Sequence, residues 1–265
     1  MRTDFGKVAS DYAKYRDSLP AILFEQLANK GFRFKDQDVI DLGSGSGIFS
    51  RDLNKHGARV IGIEPSDELI KEAVRIDQSL GINNISYVRA QAEDFTLSRT
   101  YPMFTAVRAW HWFQRINVIK NIKRYLEPHG HLIVINSIFK PDSDIAQKTF
   151  EVLINNGIEL KPAGSNAETK ERRNGFPVNW FDEWQNHSFH VVGEWQQDYE
   201  GKYSHEEWCG KMRSVSWLTN IDESKRMKVT RELLNKLCDD HETLNVPHQF
   251  SIVILKYALQ DKTER

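Results

Sequence analysis

Cysteine is scarce: Cys209 and Cys238 are the only two in 265 residues, and they stand apart in the sequence. Their isolation argues against a disulfide framework or a cysteine-built zinc site, so reduced thiols and no bound metal are expected. Neither sign of charge prevails, with 36 basic side chains against 37 acidic ones and a formal net charge of −1. Without a basic stripe or a run of like charge, a nucleic-acid partner is not expected. No apolar run is long enough to cross a bilayer. The opening Met1-Arg2-Thr3-Asp4-Phe5-Gly6 lacks the apolar core of a signal peptide. Together these point to a cytoplasmic protein with no membrane partner. Internal repeats and low-complexity tracts are also missing. At 40% hydrophobic and 28% charged, the chain suits one globular α/β domain, acting as a monomer or homodimer.

What is present is concentrated in Val39-Ile40-Asp41-Leu42-Gly43-Ser44-Gly45-Ser46-Gly47, an apolar strand that ends in three alternating glycines. Glycine serves where a chain turns tightly and where backbone must approach a ligand without a Cβ in the way. Such a turn also delivers the N–H groups of a helix start to the carboxyl edge of the strand, a natural anion site. One strand later, Arg59-Val60-Ile61-Gly62-Ile63-Glu64 ends in a carboxylate placed to accept hydrogen bonds from a ribose. The pair predicts a nucleoside-containing cofactor. A dinucleotide fingerprint needs a small residue where Ile48 stands. A nicotinamide oxidoreductase is therefore a remote alternative.

Asp41-Leu42-Gly43-Ser44-Gly45-Ser46-Gly47 resembles the first motif of the class I S-adenosylmethionine-dependent methyltransferases. The resemblance spans about residues 38–135. It implies that Asp41, Gly43, Ser44, Gly45 and Gly47 form the loop that holds the methionine portion of S-adenosyl-L-methionine, and that Glu64 holds its ribose. Pro65, just past that acid, is placed against the adenine face. The loop Gln91-Ala92-Glu93, where the family most often has Asp at the position of Gln91, is expected beside the adenine. Two further stretches are similar to the trans-aconitate-methyltransferase-like subfamily. Tyr12-Ala13-Lys14-Tyr15-Arg16 looks like its N-terminal lid, which makes Tyr15 and Arg16 cofactor contacts, although Asp17 and Leu19 depart from the pattern. Ala109-Trp110-His111-Trp112-Phe113-Gln114 resembles its Ala-Leu-His-Trp-Phe-Asp signature. That places Ala109 at the cofactor, His111 as its support or as a general base, and Trp112 on a substrate carboxylate. Lys211-Met212-Arg213-Ser214-Val215-Ser216 resembles the substrate wall, which implicates Arg213.

The expected architecture is a doubly wound, Rossmann-like seven-stranded sheet, mostly parallel with the last strand antiparallel. Residues 1–34 form a helical lid, two short helices broken at Ser18-Leu19-Pro20. Residues 35–138 form the cofactor-binding core, in which His131-Leu132-Ile133-Val134-Ile135-Asn136 is the fifth strand. Residues 139–188 interrupt the β/α rhythm and read as a cap inserted after that strand; long insertions of this sort often carry specificity. Residues 189–265 complete the substrate side, with a strand from Phe189 to Trp195, a helix opened by Ser204, a charged helix over 222–240 and a closing strand from Phe250 to Tyr257.

The resemblance implies methyl transfer to a small molecule, with oxygen as the expected acceptor atom and nitrogen or carbon as alternatives. Transfer from a sulfonium needs no metal. It gains most from positioning and from a dry site, which aromatic walls supply. Methylation of RNA or protein, and a non-catalytic module that only binds the cofactor, are the other readings.

Overall fold

The computed structural model describes residues 4–238 and 243–258. Seven strands form one sheet: β1 (Asp38–Leu42), β2 (Arg59–Glu64), β3 (Ile85–Arg89), β4 (Tyr101–Val107), β5 (Leu126–Phe139), β6 (Phe189–Tyr203) and β7 (Leu244–Tyr257). Their order is β3-β2-β1-β4-β5-β7-β6. The first five pair in parallel, and β7 runs antiparallel to both β5 and β6. The strand order therefore reverses between β1 and β4, the place where an open α/β sheet leaves a crevice at its carboxyl edge.

Alternation along the strands builds a core on each face. Ile40, Ile63, Phe104, Leu132 and Val134 point to one side, where they meet Val118, Ile119 and Ile122 of α5 (Arg115–Tyr125). Val39, Val60, Met103 and Ile133 point to the other, against Leu23, Phe24 and Leu27 of α2 (Ala21–Asn29) and Phe49 and Leu53 of α3 (Ile48–Lys55). The expected lid thus divides. Only α1 (Ala9–Tyr15), with the 3-10 turn before it, lies at the crevice, while α2 is a sheet-covering helix.

The expected cap over 139–188 divides as well. Its first part carries α6 (Asp144–Asn155), and its last part is α7 (Val178–Asn186), whose Trp180, Phe181 and Trp184 are buried in the sheet core with Trp110. Phe176, Trp180, Phe181 and Trp184 fall within nine residues, and their role is packing. A third core joins α6 to α8 (His205–Arg213), α9 (Ser216–Thr219) and α10 (Glu223–Leu237) through Leu153, Trp208, Met212, Leu218, Val229 and Leu233. It forms a helical wall beyond the carboxyl end of β5 and the amino end of β7. The start of α8 is fixed by a capping box, in which Ser204 and Glu207 bond each other's backbone N–H groups.

β6 continues eight residues past the expected Trp195, because Gln196, Gln197 and Asp198 pair with Ser251, Phe250 and Gln249 of β7. Their polarity hid the strand; in the ribbon they bond across it, Gln196 Nε2 donating to Gln249 Oε1 at 2.8 Å. The expected last residues of the helix over 222–240, the opening of the lid and the chain beyond 258 lie outside the described residues.

Candidate active site

The glycine turn is built for close approach. Gly43, Gly45 and Gly47 all have positive φ (67°, 57° and 77°), where a Cβ is strained. A Cβ on Gly43 would also lie 2.6 Å from Ala109 Cβ, so the loop and the end of β4 touch backbone to side chain. Beneath the loop, Asp41 is buried and accepts hydrogen bonds from Ser50 Oγ at 2.7 Å and Thr105 Oγ1 at 2.9 Å. Burial raises its pKa to about 6 against the pull of those two hydroxyls. Asp41 therefore braces the loop from behind and does not line the main cavity.

The loop amides are not all presented outward, as a bare helix start would have them. The N–H groups of Gly43 and Ser44 donate to Ile63 O at 2.8 and 3.2 Å, and that of Gly45 donates to Glu64 Oε2 at 3.0 Å. Glu64 Oε1 accepts from the Ser66 N–H at 3.0 Å. The loop and the acid are thus one hydrogen-bonded unit. Two amides hold the buried carboxylate at the rim of a cavity of about 1000 Å³, also lined by Gly43, Gly45, Pro65, Ala92 and Ala109. A carboxylate oxygen accepts more than one bond, so this arrangement still suits it to hydroxyl donors.

Other expected cofactor residues lie elsewhere. Ser44 is buried against Gly62, and Gly47 faces Tyr87, whose hydroxyl would be 2.1 Å from a Cβ there. Gln91 is exposed and outside the cavity lining. Glu93 turns away to accept the Gln114 N–H at 2.8 Å, capping the approach to α5.

The lid contributes Tyr12 and Arg16 where Tyr15 and Arg16 were expected. Tyr12 covers Gly45, from which a Cβ would be 3.3 Å away, and Arg16 lies 5.0 Å from the Tyr12 ring. Arg16 is anchored by Ser214, its Nε donating to Oγ at 3.0 Å and Nη2 to the carbonyl at 2.8 Å. Tyr15 packs instead on Gly210 of α8 and donates to Glu206 Oε1 at 3.3 Å. Arg213, expected at the substrate, forms a two-pronged ion pair with Asp11 of α1 at 2.8 and 3.1 Å, outside the cavity lining. Its charge ties the lid to α8. The three-residue step from Tyr12 to Tyr15 leaves both near one helix face, and only the tertiary partner separates them.

Opposite the glycine loop stands the 3-10 turn Trp110–Trp112. Trp110 is buried in the core beside Trp184, with ring centroids 5.8 Å apart. His111 and Trp112 line the cavity, and the Trp112 ring meets Phe5 edge-on at 5.5 Å. Desolvation, with a smaller push from Arg16, lowers the His111 pKa to about 3, so the imidazole is neutral at physiological pH. Gly164 and Ser165, from the insertion, close over this turn, Ser165 Oγ donating to His111 O at 3.2 Å. Sequence reasoning missed Tyr12, Arg108, Asn136, Ser137, Lys211 and His248, all of which line the cavity. Tyr12 and Lys211 lie in the stretches likened to the lid and the substrate wall, where Tyr15 and Arg213 were expected instead. Arg108 carried a signal of its own, as a lone charge closing an apolar strand, and it has φ 53°, rare for a non-glycine residue.

Residues 39–130 match the family of the methyltransferase domain. A Dictyostelium discoideum protein named as a methyltransferase is 30% identical over 131 residues, 49% of this chain and 47% of its own length. This chain thus spans about half the length of that curated relative. The solved structure of a type II methyltransferase from Anaeromyxobacter dehalogenans superposes with a TM-score of 0.62 at 19% identity, over 92% of this chain and 98% of that one. A Thiobacillus denitrificans methyltransferase, solved with S-adenosyl-L-homocysteine, gives a TM-score of 0.54 at 16% identity, over 96% and 99%. At such identities the structural likeness shows a shared fold.

Proposed function

We infer that this chain is a class I S-adenosylmethionine-dependent methyltransferase, a reading supported by its glycine motif, its domain match and its fold, and that it transfers a methyl group from S-adenosyl-L-methionine to a small-molecule acceptor, with oxygen as the atom methylated. The carrying observation is the Glu64–Gly45 unit at the cavity rim, beside a turn whose Gly43 leaves no room for a Cβ. These residues fit the proposed cofactor. Glu64 would take the ribose hydroxyls, Pro65 and Ala92 would flank the adenine, and Gly43 and Gly45 would pass the amino-acid tail beneath Tyr12 and beside Arg16. When bound, that cofactor supplies a methyl group already activated on a sulfonium. Everything else falls to the protein. Tyr12, Phe5 and Trp112 exclude water, and their π faces tolerate an adjacent cation. Orientation against Ala109, His111 and Trp112 holds the acceptor oxygen in line, a positioning effect that reaches ~7–11 kcal/mol in favourable cases. Trp112 Nε1–H is the proposed donor that orients a substrate carboxylate.

A neutral His111 near pKa 3 is a hydrogen-bonding support and a poor proton acceptor. Its folded-state pKa lies below the ordinary histidine value, so it stays uncharged throughout about pH 5–8. The pH–rate profile is accordingly expected to lack an inflection near 6.5; an inflection there that vanishes in His111→Asn would contradict the assignment.

The two lid tyrosines give a second check. Tyr12→Ala is expected to weaken S-adenosylhomocysteine binding by about 0.5–1.5 kcal/mol, through loss of its aromatic cover. Tyr15→Ala should leave affinity unchanged and lower the melting temperature, because its partners are on α8. Equal effects on affinity would remove the distinction. Turnover itself is tested with isotope-labelled S-adenosylmethionine and a metabolite extract. Labelled product identified by mass is the expected result; cofactor affinity without transfer to any acceptor would favour a binding module.

A further inference from the structure

The far half of the cavity holds more positive charge than its protein partners neutralise. Arg108 follows β4, Lys211 comes from α8, and both line the cavity with Asn136 and Ser137 of β5 and His248 of β7. Lys211 is 4% exposed; its Nζ donates to Tyr203 Oη at 2.6 Å and His248 Nε2 at 2.8 Å, and lies 2.8 Å from Asp17 Oδ1. Arg108 Nη2 donates to the Asp17 carbonyl at 2.6 Å, and its Nη1 lies 3.6 Å from the same Asp17 Oδ1. Among the described residues, no other ion pair reaches Arg108, Lys211 or Arg16. His248 adds no charge: Nδ1 donates to Val246 O at 2.7 Å, which leaves Nε2 as acceptor for Lys211, and burial lowers its pKa to about 4.

One carboxylate is thus shared by two nearly enclosed cations, with Arg16 a third beside the donor half. Lys211 spends its three N–H donors on Tyr203, His248 and Asp17, so it acts on a ligand through its charge, whereas Arg108 makes a single hydrogen bond among the described residues and keeps donors for one. Two enclosed cations on one carboxylate leave a positive balance, and an oxyanion is the ligand that offsets it. Burial brings the Lys211 pKa down to about 8 against the opposing pull of Asp17, so the amine is still mainly protonated at neutral pH. Around this floor the walls are apolar: Phe139, Phe150, Leu160, Val215 and Trp217.

We propose that Arg108, backed by the charge of Lys211, seats an acidic oxyanion of the acceptor, carboxylate or phosphate, and that the substrate is a small organic anion with an apolar or aromatic body. The proposal rests on the methyltransferase reading and adds the substrate class and the residues that select it. Asp17 serves as a positioning residue, holding the two cations at one point of the floor.

The test separates acceptors by charge before any reaction. A metabolite extract of the source organism is split on an anion-exchange resin, and each fraction is incubated with the intact protein and labelled S-adenosylmethionine. Label is expected from the retained, anionic fraction, with carboxylate and phosphate acceptors told apart by product mass. Arg108→Gln is expected to raise the acceptor KM roughly 10- to 100-fold, as for loss of a hydrogen bond to a charged group, and Lys211→Met to raise it by less, through loss of its charge alone, while S-adenosylhomocysteine affinity stays unchanged in both. Lys211→Arg, which keeps the charge, should recover most of the loss and excludes simple misfolding. Label arising only from the unretained fraction overturns the proposal, as does an unchanged KM in both variants. Loss of S-adenosylhomocysteine binding by the unmodified protein would sink the donor-site reading instead, a separate outcome.

Discussion

Glu64→Ala should weaken S-adenosylhomocysteine binding by about 1.5–3 kcal/mol, roughly 10- to 100-fold in Kd. The carboxylate is buried at the cavity rim with one oxygen on the Gly45 amide and the other on the Ser66 amide. Both charge-assisted bonds fix its orientation toward the hydroxyls it is proposed to accept. Alanine removes the acceptor and also releases the Gly45 amide, so the loop loses its tie to β2. Glu64→Gln is expected to lose nearly as much, because an amide has one oxygen for two N–H donors and would turn its own N–H₂ toward the other. Titration calorimetry measures both variants; a loss below a few tenths of a kcal/mol would show that Glu64 does not hold the ligand.

Gly45→Val is expected to abolish measurable binding. Valine at φ 57° costs about 1–3 kcal/mol in backbone strain. Its branched side chain would enter the space between the loop and Tyr12, where even a Cβ comes within 3.3 Å of Cε1. Overpacking of that kind adds about 1–3 kcal/mol unless the loop moves, and a loop that moves no longer cradles the tail. Gly81→Val is the matched control, because Gly81 has φ 68° but nothing within 4 Å of a Cβ. Both variants should lose stability, and only Gly45→Val should lose the ligand. Wild-type affinity in Gly45→Val would exclude the loop from the binding site.

The sheet and the glycine turn were legible because their signals are local. Val39-Ile40 and Ile61-Gly62-Ile63 are buried-strand runs, and glycines at positive φ announce a turn wherever it lies in the fold. The lid and the acceptor half were less legible because tertiary partners decide them. Tyr12 and Tyr15 occupy one helix, yet Gly45 claims the first and Gly210 the second. Arg213 looked available until Asp11, about two hundred residues earlier, took both its prongs. Trp180 and Trp184 read as cap residues since nothing local says that α7 turns them into the sheet core. Lys211 lies in the stretch likened to the substrate wall, yet Arg213 was expected there instead, for the same reason. A lysine in an amphipathic helix is ordinarily solvated, and here β7 and Asp17 enclose it.

The most direct test is a crystal structure of the protein grown with S-adenosylhomocysteine. The account requires the ribose hydroxyls on Glu64, the adenine between Pro65 and Ala92, and the homocysteine tail over Gly43 and Gly45 beneath Tyr12. A ligand bound outside this cavity, or one whose ribose turns away from Glu64, would contradict it.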